Sequence, residues 1–204
     1  MPVGSIVAPT KKLIRHARPD TMTRKPHVTH STTLAHSRLF RIEQVDLHFP
    51  NGTKVQWERL RTTSPGAVLV VPMLDANTVL MIREYAAGVE RYELALPKGR
   101  MEAGELPEAA ANREIMEEIG YGARRIRLIK SMTLAPGYFS HVTHVLLAQD
   151  LYAEKREGDE PEPIEVVSWS LDRLNELCAQ ADCTEARSIA ALFMARELLR
   201  SEGR

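Results

Sequence analysis

The chain has 204 residues, 44% hydrophobic and 26% charged, with 27 lysines and arginines against 27 aspartates and glutamates. That length fits one domain with an extension, and the composition can fill a core, which excludes a wholly disordered chain. Zero formal net charge gives no global basic field for nucleic acid or an anionic membrane, and no apolar run approaches the ~20 residues of a membrane span. Residues 1–34 read as a basic, flexible extension: Lys11, Lys12, Arg15, Arg18, Arg24 and Lys25 are set against Asp20 alone, and Pro19 and Pro26 interrupt any amphipathic stripe.

Residues 35–204 form the expected domain. Residues 39–49 alternate apolar and polar side chains, Asn51-Gly52 is a strong hairpin signal, and 54–60 returns as a second strand. The Val-rich run 67–74 reads as a buried strand, followed across Asp75, Ala76 and Asn77 by 78–83, and then by 92–96. At 107–119 the period becomes helical, with Pro107 suited to the first turn, Gly120 to the stop, and Ala110, Ile115 and Ile119 as its buried stripe. Strands at 126–130, 141–148 and 164–169 and helices at 171–180 and 184–200 complete an α/β layout, a mixed sheet sandwiched between helices (α/β/α) with an N-terminal β-hairpin. Cys178 and Cys183, the only two cysteines, fall in the helical region; one C-x4-C pair is too little for a zinc site or a disulfide framework, so they read as reduced thiols in a cytoplasmic protein.

The chemistry concentrates on the helix at 107–119. Glu114 and Glu118 share a face, with Glu117 beside them. Taken alone, these glutamates read first as a solvated acidic face, softened by Arg113 pairing with Glu117; the functional alternative is a set of oxygen ligands converging on hard Mg²⁺ ions. The surrounding spacing decides. Residues 99–121 fit G-x5-E-x7-R-E-U-x-E-E-x-G-U, U being a bulky apolar residue, with Gly99, Glu105, Arg113, Glu114, Ile115, Glu117, Glu118 and Gly120 in place and Tyr121 at the final U. Chance agreement is on the order of one per billion starting positions at average residue usage.

This pattern resembles the signature of the Nudix hydrolases. The resemblance implies a Nudix fold, a loop–helix–loop in which Glu114, Glu117 and Glu118 bind Mg²⁺ (with Mn²⁺ as a possible substitute), and roles for Arg113 and Glu105 in holding the loop and orienting the ligands. Residues 37–40, 82–85, 134–140 (LAPGYFS), 148–152, 158–163 (GDEPEP) and 185–187 further resemble members acting on ADP-containing compounds, relatives of the ADP-ribose pyrophosphatases. That branch implies cleavage of NADH, ADP-ribose and diadenosine polyphosphates to AMP. It also implies a homodimer, with 35–62 at its interface. Many ADP-ribose pyrophosphatases carry Gln-aromatic-Arg where this chain has Glu84-Tyr85-Ala86, which argues against strict ADP-ribose specificity.

The remaining candidates stay open. Arg83 is a phosphate contact or a surface arginine; Tyr138, beside the turn-forming Pro136-Gly137, stacks on a base or packs its loop. Trp57 belongs to the core or an interface, or, with Arg59, contacts substrate. Glu160 and Glu162 are candidates for the general base, unless their run is only a solvated loop. Two other functions compete: a pyrophosphohydrolase of RNA 5′ ends, disfavoured by the absence of a basic stripe, and a non-catalytic nucleotide-binding module, disfavoured by the intact glutamates.

Overall fold

The computed structural model describes residues 24–62 and 64–203. The first three strands, β1 (His27–His36), β2 (Phe40–His48) and β3 (Lys54–Thr62), lie in that order in one sheet. The β2–β3 turn is closed by Gly52 N–H donating to the Phe49 carbonyl at 2.9 Å and by Asn51 Oδ1 accepting from Thr53 N–H at 3.0 Å. Asn51-Gly52 thus makes the expected hairpin. β1 was not expected, and the break placed at 34/35 falls inside it; all ten of its residues are exposed, so no alternation betrays the strand. Residues 1–23 of the expected 1–34 tail lie outside the described residues. The described chain divides into two compact units, residues 24–32 with 44–57 and residues 33–43 with 58–203.

The second unit is built on two sheets rather than one. β7 (Lys98–Arg100), β4 (Ala67–Pro72), β9 (Val142–Ala153) and β8 (Tyr121–Thr133) form a mixed sheet in that order, with β4 and β9 parallel. β10 (Glu165–Ser170), β5 (Thr78–Ala86) and β6 (Arg91–Ala95) form an antiparallel sheet. Parallel pairing requires cover on both faces, which is why β4 reads as a continuous run: Val68, Leu69, Val70 and Val71 are all fully buried.

Strand alternation divides the core into two layers. Val68 and Val70, Leu80 and Ile82, and Leu146 and Ala148 pack against Ala110, Ala111, Ile115 and Ile119 of helix α1 (Pro107–Glu118) and its cap. Leu69 and Val71, Val79 and Met81, and Val145 and Leu147 face the other way. They pack on a 3₁₀ turn (Leu171–Arg173), α2 (Leu174–Cys178) and α3 (Ala186–Glu202), through Leu171, Leu174, Leu177, Ala191, Leu192 and Ala195. This is the expected α/β/α arrangement. Cys183 follows α2 in a non-helical segment and is buried in the second layer, and both cysteines are free thiols. Among the described residues no helix is long and apolar enough to cross a membrane.

Candidate active site

α1 carries the site because its two faces have different destinations. One face seats Ala111 and Ile115 in the core, while Glu114 and Glu117 open onto a cleft of about 520 Å³ also lined by Lys98, Gly99, Arg113 and Glu160. Pro107 stands in the first turn, and Gly120 takes the left-handed conformation (φ 76°) that ends the helix.

Arg113 organises the acids. Its Nε donates to Glu105 Oε1 at 3.0 Å, and its Nη2 donates to Glu105 Oε2 and to the Arg100 carbonyl, both at 3.1 Å. Nη1 donates to Glu114 Oε1 at 2.8 Å and to Glu117 Oε2 at 3.1 Å. All five N–H donors of the guanidinium are therefore committed. Glu105 also accepts from the Glu102 N–H at 2.9 Å, which ties the loop before the helix to its middle, and Arg113 holds its carboxyl below the ordinary value. Gly99 is required by closeness: a Cβ there would fall on the Glu114 carboxylate.

Glu118 is turned inward, 3% exposed, with its Oε2 accepting the Lys98 backbone N–H at 3.0 Å. Burial pushes its carboxyl up to about 9, against the pull of the Lys98 charge. Burial also raises Glu114. Two carboxylates converging on one positive group, with a third buried behind them, are a donor set suited to a hard divalent cation. Among the described residues no three such groups yet close on a single point, because Arg113 Nη1 stands between Glu114 and Glu117 while Glu118 faces the Lys98 amide.

The chain after β9 folds back on the end of α1. Arg156 N–H donates to the Met116 carbonyl at 3.1 Å, Glu154 N–H to the Gly120 carbonyl at 3.0 Å, and Lys155 Nζ to the Glu117 carbonyl, meeting carbonyls that a helix end leaves unpaired. This brings Asp159 and Glu160 to the cleft. Burial first, then the nearby charges of Glu84 and Asp159, raise the Glu160 carboxyl above its ordinary value. Glu162 is placed elsewhere, accepting from Tyr92 Oη at 2.7 Å.

Other expected contacts do not gather here. Arg83 lies on the α3 side of β5 by strand alternation and is ion-paired with Glu165 at 3.0 Å and with Asp182. Arg59 is paired with Glu43 at 2.8 Å. Trp57 and Tyr138 are 48% and 60% exposed, and Pro136, Gly137 and Tyr138 form a turn whose Tyr138 carbonyl accepts from Leu60 N–H at 2.7 Å. None of these six residues lines the cleft. Sequence reading missed Lys98, whose Nζ is 2.7 Å from Glu84 Oε2. The two are 14 positions apart, and only the run of strands through β6 brings them together.

Residues 63–193 match the NUDIX domain and residues 26–59 match the NudE-type Nudix hydrolase N-terminal domain, and the chain belongs to the Nudix hydrolase family. More particularly, it is 47% identical to the ADP compounds hydrolase NudE of Escherichia coli (strain K12) over 180 residues, covering 88% of this chain and 96% of that protein. It is 32% identical to an ADP-ribose pyrophosphatase of Bacillus subtilis (strain 168), over 78% of this chain and 89% of that one. A solved crystal structure of an ADP compounds hydrolase superposes with a TM-score of 0.82 at 46% identity, covering 89% of this chain and 97% of that one. The chain is thus a Nudix pyrophosphatase, and such enzymes generally need a divalent metal.

Proposed function

We propose that this enzyme is a Mg²⁺-dependent pyrophosphohydrolase of ADP-containing compounds, cleaving NADH, ADP-ribose and diadenosine polyphosphates with release of AMP. The observation that carries the substrate class is the likeness, over nearly the whole of both chains, to a protein named for hydrolysing ADP compounds. It is joined by a cleft into which Glu114, Glu117, Asp159 and Glu160 open. A bound Mg²⁺, or Mn²⁺ in its place, would polarise phosphoryl oxygens and lower the pKa of an attacking water. Glu114, Glu117 and Glu118 would hold it. Arg113 and Glu105 fix where those carboxylates start, and Glu160 takes the water's proton. Glu160 is preferred to Glu162 because it lines the cleft and its raised carboxyl suits a base working near neutrality.

The Pro136–Gly137–Tyr138 turn offers an exposed aromatic face for the adenine or the second half of the substrate. The enzyme works as a homodimer through β1–β3, whose Val28, Leu34, Ile42 and Trp57 are exposed. The cytoplasm is the proposed setting, where the free thiols stay reduced.

The test is AMP release from NADH, ADP-ribose and diadenosine triphosphate, with Mg²⁺ and with chelator, by the wild type and by Glu118→Gln. Metal-dependent AMP from all three, reduced roughly 100-fold or more in the variant, is expected. A folded wild type that releases no AMP from any of them would overturn the substrate class, and 5′-triphosphorylated RNA would be the next substrate tried.

A further inference from the structure

Arg113 lines the cleft but has no N–H left for a ligand. Every N–H of Arg113 is already bonded, to three carboxylates and one carbonyl. Arg83 points to the other face of β5 and is held by two acids. Lys98 is different. Its ammonium has three donors, and among the described residues it forms one hydrogen bond, to Glu84. Its side chain is about a quarter exposed, so it can reach a ligand.

Position singles it out further. Lys98 lines the metal-glutamate cleft and also a second cavity of about 380 Å³, lined by Tyr85, Ala86, Val89 and Glu93, and among the described residues it alone lines both. Its charge acts on Glu118, on one side, and on Glu160 across the cleft. A molecule too long for one cavity and joined by a diphosphate would cross between them at this side chain. The diphosphate is also the part of such a molecule that most needs a positive partner.

We propose that Lys98 is a substrate-contacting residue, whose ammonium leans on Glu84 in the free enzyme and binds the diphosphate of the substrate where the two cavities meet. This rests on the reading of the enzyme as a hydrolase of ADP-containing compounds. Glu84 is then a competitor for the ammonium as well as its support. Removing the lysine and removing the glutamate should therefore have opposite effects on ligand binding, although both break the same ion pair. The Lys98 backbone N–H, which holds Glu118, survives any change of its side chain.

The experiment is calorimetric titration of the folded protein, in Mg²⁺, with adenosine 5′-(α,β-methylene)diphosphate, an uncleavable diphosphate, and with adenosine as the phosphate-free control. Lys98→Met should weaken the diphosphate about 10-fold or more and leave adenosine unchanged, the loss expected for one charge-assisted hydrogen bond. Lys98→Arg should recover most of it. Glu84→Gln should bind the diphosphate at least as tightly as wild type. Equal weakening by Lys98→Met and Glu84→Gln would make the pair merely structural and overturn the proposal. So would an unchanged Lys98→Met, or a loss that appears instead in Arg100→Ala. Failure of the substrate reading would show differently, as a wild type that releases no AMP, whereas failure here leaves wild-type turnover intact.

Discussion

Gly99 shows how little room a functional residue can leave. Its missing Cβ is the space in which the Glu114 carboxylate sits. Gly99→Ala should push that carboxylate aside and lower kcat/KM roughly 10–100-fold, the range typical of groups that orient metal ligands. The obstacle is the end of a flexible side chain, so the melting temperature should move by only a few degrees; activity and thermal scans of one preparation would check both. At this scale the sequence was readable where spacing places neighbours: Glu105, Glu114 and Glu117 all bond Arg113, and Gly99 lies against Glu114, while Glu118 faces the Lys98 amide. It was unreadable for Arg83, since its strand is apolar on both faces from Val79 to Ile82 and no alternation announces which way the next side chain points. Glu160 and Glu162 share one acidic run, and only the hydrogen bonds that fold it onto α1 tell them apart.

Among the elements, α3 depends on an acid at its start. The Glu185 side chain accepts from the N–H groups of Arg187 and Ser188, at 3.3 and 2.7 Å, and so caps the helix. Burial works against the charged carboxyl, but Arg187 and Ser188 outweigh it and hold it below its ordinary value. A depressed pKa contributes stability that is present above the unfolded value and lost as pH falls through the lower folded value. Glu185→Gln should therefore cost stability at pH 7, by about 1 kcal/mol as caps usually do. The difference from wild type should shrink as pH drops below ~4.5. Denaturant titrations at several pH values would reveal it, and a pH-independent difference would contradict the charge argument. Capped, periodic elements like α1 and α3 were legible to within a few residues. β1 was not, because ten exposed positions with no apolar rhythm look like a tail until a neighbouring strand supplies their hydrogen bonds.

For the whole molecule, one helix serves both the core and the cleft. Ile115 is fully buried, and the nearby Glu114 and Glu118 carboxyls resist charging because of their own burial first and repulsion from neighbouring glutamates second. Cation binding should relieve that repulsion and so count as folding free energy. At a hundred-fold excess over Kd, Mg²⁺ should add about 2.7 kcal/mol, which for a chain of this size is roughly 5–10 °C in Tm. Chelator should abolish the shift and Glu118→Gln should blunt it; a wild type whose Tm ignores Mg²⁺ would contradict the coupling.

Arg83 and Glu84 are consecutive, and the pleat of β5 sends one to Asp182 and Glu165 behind the sheet and the other to Lys98 in front. A deletion or insertion of one residue anywhere between the turn at Asp75 and this point would turn the strand over by one step. An insertion would then set the guanidinium toward the lysine, and a deletion would set the carboxylate toward the two acids, so either replaces an attraction by a repulsion. The number of residues in β5 is in this sense an electrostatic property of the cleft, fixed as firmly as the identity of any side chain within it.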